Sequence, residues 1–161
     1  MPQSGHIDLM QSVAKTAGRI LAVDYGDVRT GMALSDSART VASGLCTVQG
    51  GMRKTAEAVA QTVRERGAVA VVVGLPVNMD GSHGPRAAHA EKFAQELRHL
   101  LGETVPVATL DERMTTMAAS RYLNETDTRG AKRKGVIDTL SAQIILQNAL
   151  DRLRHMAASE N

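Results

Sequence analysis

The sequence predicts an α/β domain built on one mixed sheet, three antiparallel strands followed by parallel ones, flanked by helices. Three observations carry this reading. Between residues 19 and 48 three short apolar runs are separated only by hairpin-length turn signals. From residue 53 onward, stretches with helical spacing alternate with short apolar runs. The 161 residues, 43% of them apolar, suffice for one core and one domain.

The elements follow in order. Residues 1–18 are polar and weakly amphipathic, and they are expected to form a flexible extension ending at Gly18. Ile20, Leu21, Ala22 and Val23 then make an apolar run closed by Asp24, and residues 30–36 and 41–48 give the second and third strands. Ala56, Val59, Ala60 and Val63 recur at helical spacing within residues 53–66, which predicts a helix stopped by Gly67. Residues 68–73 are too apolar to alternate, as a central strand covered on both faces requires. Pro85 suits the first turn of a helix whose stripe of Ala88, Phe93, Leu97, Leu100 and Leu101 ends at Gly102. Residues 105–110 make another short strand. Residues 115–124 and 134–156 read as helices joined by a polar, basic connection, and 157–161 as a tail. Strand-helix crossovers after an antiparallel meander give a sheet sandwiched by helices over residues 19–156.

Composition excludes several functions. Aromatic residues are 2% of the chain and Trp is absent, which argues against single-strand recognition on a row of stacked aromatic side chains. A formal charge of +2 means that attraction to nucleic acid must come from local clusters. Cys46 stands alone, so no internal disulfide forms, and the opening stretch carries Asp8 and no long apolar run, unlike a signal peptide. No window approaches the roughly 18 apolar residues of a membrane-spanning helix. A cytoplasmic protein with no membrane partner is expected.

Acids sit where chemistry can use them. Asp24 ends a buried strand, and Asp111 and Glu112 follow another, so both strand ends offer carboxylates to the carboxyl edge where ligands bind in open α/β sheets. Each alone reads equally well as a turn or helix-capping residue. Asp138 adds weight. It shares a helical face with Ala142, Ile145 and Ala149, and an acid on an inward face needs a cation or hydrogen-bond donors, or a buried salt bridge to Arg113 or Arg29. Carboxylates from two strand ends and a late helix form an oxygen-only site suited to Mg²⁺ or Mn²⁺. Zinc does not fit, because the five histidines show no paired ligand spacing. Two such ions roughly 3.5–4 Å apart would hydrolyse a phosphodiester without a nucleophilic side chain.

Two further segments suit phosphate. The loop from Gly74 to Pro85 leads from a central strand into a helix, whose free N–H groups attract anions, and Arg86 adds a guanidinium fork. Plain turn chemistry explains the glycines as well, and no Gly-Lys-Ser/Thr triplet makes it a nucleotide P-loop. Arg129, Lys132, Arg133 and Lys134 form a basic run just before the helix of Asp138, well placed to neutralise a nucleic acid backbone.

Taken together these motifs resemble the YqgF family, also called RuvX, described both as Holliday junction resolvases and as pre-16S rRNA nucleases. The matching segments are Val23-Asp24-Tyr25-Gly26 with Arg29 and Gly31; Gly74-Leu75-Pro76 with Asn78-Met79-Asp80-Gly81 and Gly84-Pro85-Arg86; Asp111-Glu112-Arg113 with Thr115 and Thr116; and Lys132 to Asp138. The resemblance spans residues 19–155 and implies an RNase H-like fold and nuclease activity. It puts acidic positions at Asp24 and Asp138, with Asp111 preferred over Glu112 as the middle acid. Contacts to structured RNA, or to branched DNA, are expected from Arg29, Asn78, Arg86, Arg113, Arg129, Lys132, Arg133 and Lys134, in a monomer or weak homodimer. Processing of the 5′ end of pre-16S rRNA is the expected function, with junction resolution as the alternative. Two other classes compete: an actin- or sugar-kinase-type ATPase, which needs a second domain to close over its nucleotide, and a non-catalytic RNA-binding module, which leaves an inward Asp138 without purpose.

Overall fold

In a computed structural model that describes residues 4–112 and 130–159, with side chains of residues 4–8 and 130–138 left aside, five strands form one sheet in the order β3-β2-β1-β4-β5. The central strand β1 (Ile20–Asp24) pairs antiparallel with β2 (Arg29–Ser35), which pairs antiparallel with β3 (Ala42–Gln49). On its other side β1 runs parallel to β4 (Ala70–Leu75), and β4 parallel to β5 (Val107–Asp111). The expected meander followed by crossovers is therefore present.

Helices cover both faces. On one face α2 (Met52–Arg66) and α3 (Pro85–Leu101) enclose Leu21, Val23, Val71, Val73 and Val107 together with Val59, Phe93 and Leu97. The helix boundaries obey local chemistry: Gly67 caps α2 in the left-handed region at φ 68°, and Pro85 opens α3 where its missing N–H costs nothing. On the other face lies the C-terminal helix α4 (Gly130–Ser159), whose Ala142, Ile145, Leu146 and Ala149 pack on Ile20, Ala22, Ala33, Val72, Ala108 and Leu110. Odd and even positions of β1, β4 and β5 thus divide cleanly between the two halves of the core, as the two-residue period of a strand dictates.

Three expectations need correction. Residues 1–18 contain α1 (Ser4–Lys15), a helix that buries Met10 and Val13 in the same half-core as α4 and lies along β5. The guanidinium of Arg39 ties down the end of α1, donating to the carbonyls of Val13 and Gly18 and to Thr16 Oγ1. Lys132 and Arg133 belong with Lys134 to the first turns of α4, which starts at Gly130 instead of residue 134, and α4 runs on to Ser159 instead of yielding to a tail at residue 157. The helix expected over residues 115–124, Arg113 and Arg129 lie outside the described residues.

Candidate active site

Asp24 and Asp111 close β1 and β5, and Glu112 follows, so these acids lie at the carboxyl ends of two strands of one sheet. Ile20 and Ala22 face α4, so Asp24, two residues on, takes the same face. Ala108 and Leu110 also face α4, and beyond the end of β5 Glu112 follows their direction: a Cβ built on Gly74 would strike Ile145 Cδ1 of α4 and come within 2.9 Å of Glu112 Oε2. The Glu112 carboxylate therefore lies over Gly74, on the α4 side. Asp111 alternates to the opposite face with Val107 and Thr109. The two adjacent acids therefore take different faces, and Glu112, the second choice from the sequence, is the one on the α4 side.

Gly74 lies on the strand between the two acid-bearing strands. Its strand separates β1 from β5, whose backbones lie roughly 10 Å apart at ordinary strand spacing. Any side chain at this position would strike Ile145 and crowd the Glu112 carboxylate. Burial raises the Glu112 pKa, the neighbouring Arg86 charge pulls it down, and Asp111 pushes it up. A carboxylate so desolvated is poised to gain from a cation.

The turn after Asp24 is fixed from two sides. Gly26 donates its N–H to Thr30 Oγ1 at 3.2 Å, and Tyr25 stacks on Phe93 of α3 with ring centroids 4.6 Å apart. His89 Nδ1 of α3 sits 3.1 Å from Asp27 Oδ1. Burial, followed by the Asp27 charge, raises the Tyr25 pKa. Asp24 is thereby held on a braced strand end.

The loop after β4 folds on itself. Asn78 Nδ2 donates to Ser82 Oγ at 3.0 Å, and the backbone N–H and hydroxyl of Ser82 both reach Asp80 Oδ1. Asn78, expected to touch nucleic acid, thus has an internal task. The loop and the start of α3 line a cavity of about 520 Å³ that also includes Arg86 and Glu112, and no side chain caps the N-terminus of α3. Arg29 begins β2, half-buried. Among the described residues no three His, Cys, Asp or Glu side chains gather into a metal site; Asp24 and Glu112 supply two acids, and the Asp138 side chain falls outside that description. The backbone of α4 places Asp138 seven residues, about two turns, before the Ile145 that covers Gly74.

A five-stranded mixed sheet with acids at the carboxyl ends of β1 and β5 and a long helix across their face defines an RNase H-like domain. Comparison with known proteins agrees. Thermus thermophilus RuvC shares the fold: its complex with a Holliday junction substrate superposes with a TM-score of 0.55 at 14% identity, covering 81% of this chain and 91% of that one. A second T. thermophilus RuvC structure gives 0.54 at 11% identity over 87% and 96%. Residues 18–152 match the family model described as "RuvX: Holliday junction resolvase", and the chain belongs to that family. A Paracoccus denitrificans relative is 39% identical across 96% of this chain and 98% of its own length, and one from Caldanaerobacter subterraneus is 44% identical across 83% and 96%; both carry the name "Putative pre-16S rRNA nuclease". The Paracoccus match extends over the region of α1, which the family model omits.

Proposed function

We propose that this chain is a metal-dependent nuclease that processes the 5′ end of pre-16S rRNA, with Asp24, Glu112 and Asp138 as its metal-binding acids. The observation that carries the reading is the Glu112 carboxylate lying desolvated over Gly74 on the face shared with Asp24. An all-oxygen donor set fits Mg²⁺ or Mn²⁺. When bound there, one or two of these ions supply an activated water and stabilise the leaving 3′ oxygen.

The chain's own groups do the rest. Arg86 and the uncapped N-terminus of α3 take a neighbouring phosphate, and Arg86 lowers the proton affinity of Glu112. Lys132, Arg133 and Lys134, at the start of the helix that carries Asp138, neutralise the backbone further along, joined by Arg29, Arg113 and Arg129. Asp111 faces away and serves the strand end. One site suffices for trimming an RNA end, so a monomer or weak homodimer works in this reading, in the cytoplasm. No described helix is long and apolar enough to cross a membrane.

The second reading is junction resolution, favoured by the family's own description. It demands paired cuts and hence a two-fold dimer with two sites at fixed spacing. Purified protein with Mn²⁺, a precursor 5′-leader RNA and a mobile four-way DNA junction, assayed side by side, tests both. Trimming of the leader is expected; symmetric nicking of the junction with the RNA untouched would replace the first reading by the second.

A further inference from the structure

Met79 is the most exposed large apolar side chain among the described residues, 89% accessible, and it stands at the tip of the loop that walls the Glu112 cavity. Its position is built. Asn78 N–H donates to the Ser82 carbonyl at 3.0 Å and Gly81 N–H to the Asn78 carbonyl at 2.8 Å, while Asp80 holds Ser82 through both backbone and hydroxyl. Gly81 adopts φ +90°, a conformation that L side chains rarely reach, and Gly84 packs against the Asn78 amide, where a Cβ would come within 3.2 Å. A loop constrained at so many points orders its tip, and that tip is an unbranched, polarizable thioether facing solvent.

The surroundings say what it faces. The two described aromatic side chains, Tyr25 and Phe93, are stacked on each other in the core, so neither can offer its ring to a nucleobase. The cavity of about 520 Å³ falls within the roughly 300–1,000 Å³ of small-ligand pockets, enough for one nucleotide. Its lining combines the charged Arg86 and Glu112 with the apolar Pro76, Val77, Met79 and Pro85. That mixture suits a nucleotide, which joins a charged phosphate to a flat, largely apolar base.

We infer that Met79 is a base-stacking, specificity-determining residue: it packs on the face of an unpaired nucleobase whose phosphate lies beside Arg86, so that the site takes single-stranded or unstacked nucleotides in preference to paired ones. The inference rests on the nuclease reading and adds a subsite to it. One apolar side chain packed on one base contributes modestly, so truncating Met79 to Ala should lower affinity roughly two- to tenfold, while a side chain of similar size and apolarity should preserve it.

Single-stranded RNA oligonucleotides carrying 2-aminopurine at successive positions, bound to the full-length chain in an Asp24→Asn background that stops cleavage, provide the test. One position should brighten on binding as its base leaves the stack. Met79→Ala should lose most of that rise and weaken binding by the stated factor, Met79→Leu should keep both, and all three chains should melt at the same temperature because Met79 is exposed. Equal fluorescence and equal affinity for Met79→Ala would overturn the inference. A wild-type chain that cleaves neither RNA nor DNA would instead sink the nuclease reading, and the fluorescence comparison would still decide the base contact.

Discussion

Replacing Gly74 by Ala adds one methyl group, and the structure says what that methyl meets. It collides with Ile145 Cδ1, lies 3.0 Å from Ile145 Cγ1 and sits 2.9 Å from Glu112 Oε2. Carbon atoms prefer about 3.5–4.0 Å, so Ile145 must retreat by roughly 0.5–1 Å and the carboxylate by about half an ångström. Overpacking of this kind costs about 1–3 kcal/mol. A misplaced ligand carboxylate also costs rate: a shift of about 1 Å is worth roughly a hundredfold, so about tenfold is expected here. The companion change Ile145→Val removes the colliding methyl, about 0.5–1.5 kcal/mol on its own, and nearly restores the volume balance of the pair. Urea unfolding of Gly74→Ala, Ile145→Val and the double variant, alongside cleavage in Mn²⁺, separates the two effects. The double variant should regain most of its stability while cleavage stays low, because the contact with Glu112 persists. Wild-type cleavage by Gly74→Ala, or full recovery of cleavage in the double variant, would refute the placement of Glu112 over Gly74 as the basis of the site.

Other outcomes follow from the same geometry. Asp24→Asn and Glu112→Gln should each abolish cleavage and leave metal-free melting temperatures equal or higher, whereas Asp111→Asn should keep most activity; calorimetric Mn²⁺ titration of the three checks the assignment. Burial raises the Glu112 pKa, so the folded chain holds that proton more tightly than the unfolded one: its contribution to stability is full below the ordinary Glu pKa and is lost as pH rises through the raised value. Glu112→Gln should flatten that slope in metal-free melts, and an unchanged slope would assign it to other groups. Lys132→Ala with Arg133→Ala should reduce the slope of log K against log salt by roughly 0.7–0.9 per lost phosphate contact, alike for different sequences; an unaltered slope moves the binding surface elsewhere. Val13→Ala removes two buried methyl groups and should cost about 1.6 kcal/mol in urea unfolding, against nothing measurable if α1 were undocked.

The meander and crossovers were legible because hydrophobic periodicity and turn residues act locally, and strand ends fell within a residue or two of expectation. Asp24 was legible for the same reason, as an acid closing an apolar run. The different faces of Asp111 and Glu112 were harder to read, since adjacency in sequence hides which face each side chain takes until the register of β5 against β4 is fixed. The docking of α1 escaped because its inward residues, Met10 and Val13, make too narrow a stripe to announce burial; what holds them is a partner surface on β5 and the distant Arg39 clamp, both tertiary. The internal hydrogen bond of Asn78 was not legible, because loop-internal bonds leave no periodic trace.

The long helix α4 has a consequence in time. Strands β1, β2 and β3 are neighbours in sequence and pair by local hairpins, which form early; α2 and α3 arrive next and can close their half of the core as they emerge. The other half is covered only in part by α1, and there Ala22, Ala33, Val72 and Leu110 await Ile145, Leu146 and Ala149 until the thirty residues of α4 are made. Those same residues carry Asp138. A nascent chain on the ribosome therefore holds Asp24 and Glu112 well before it holds the third acid proposed to work with them, and the element that completes its core is also the one that would arm it.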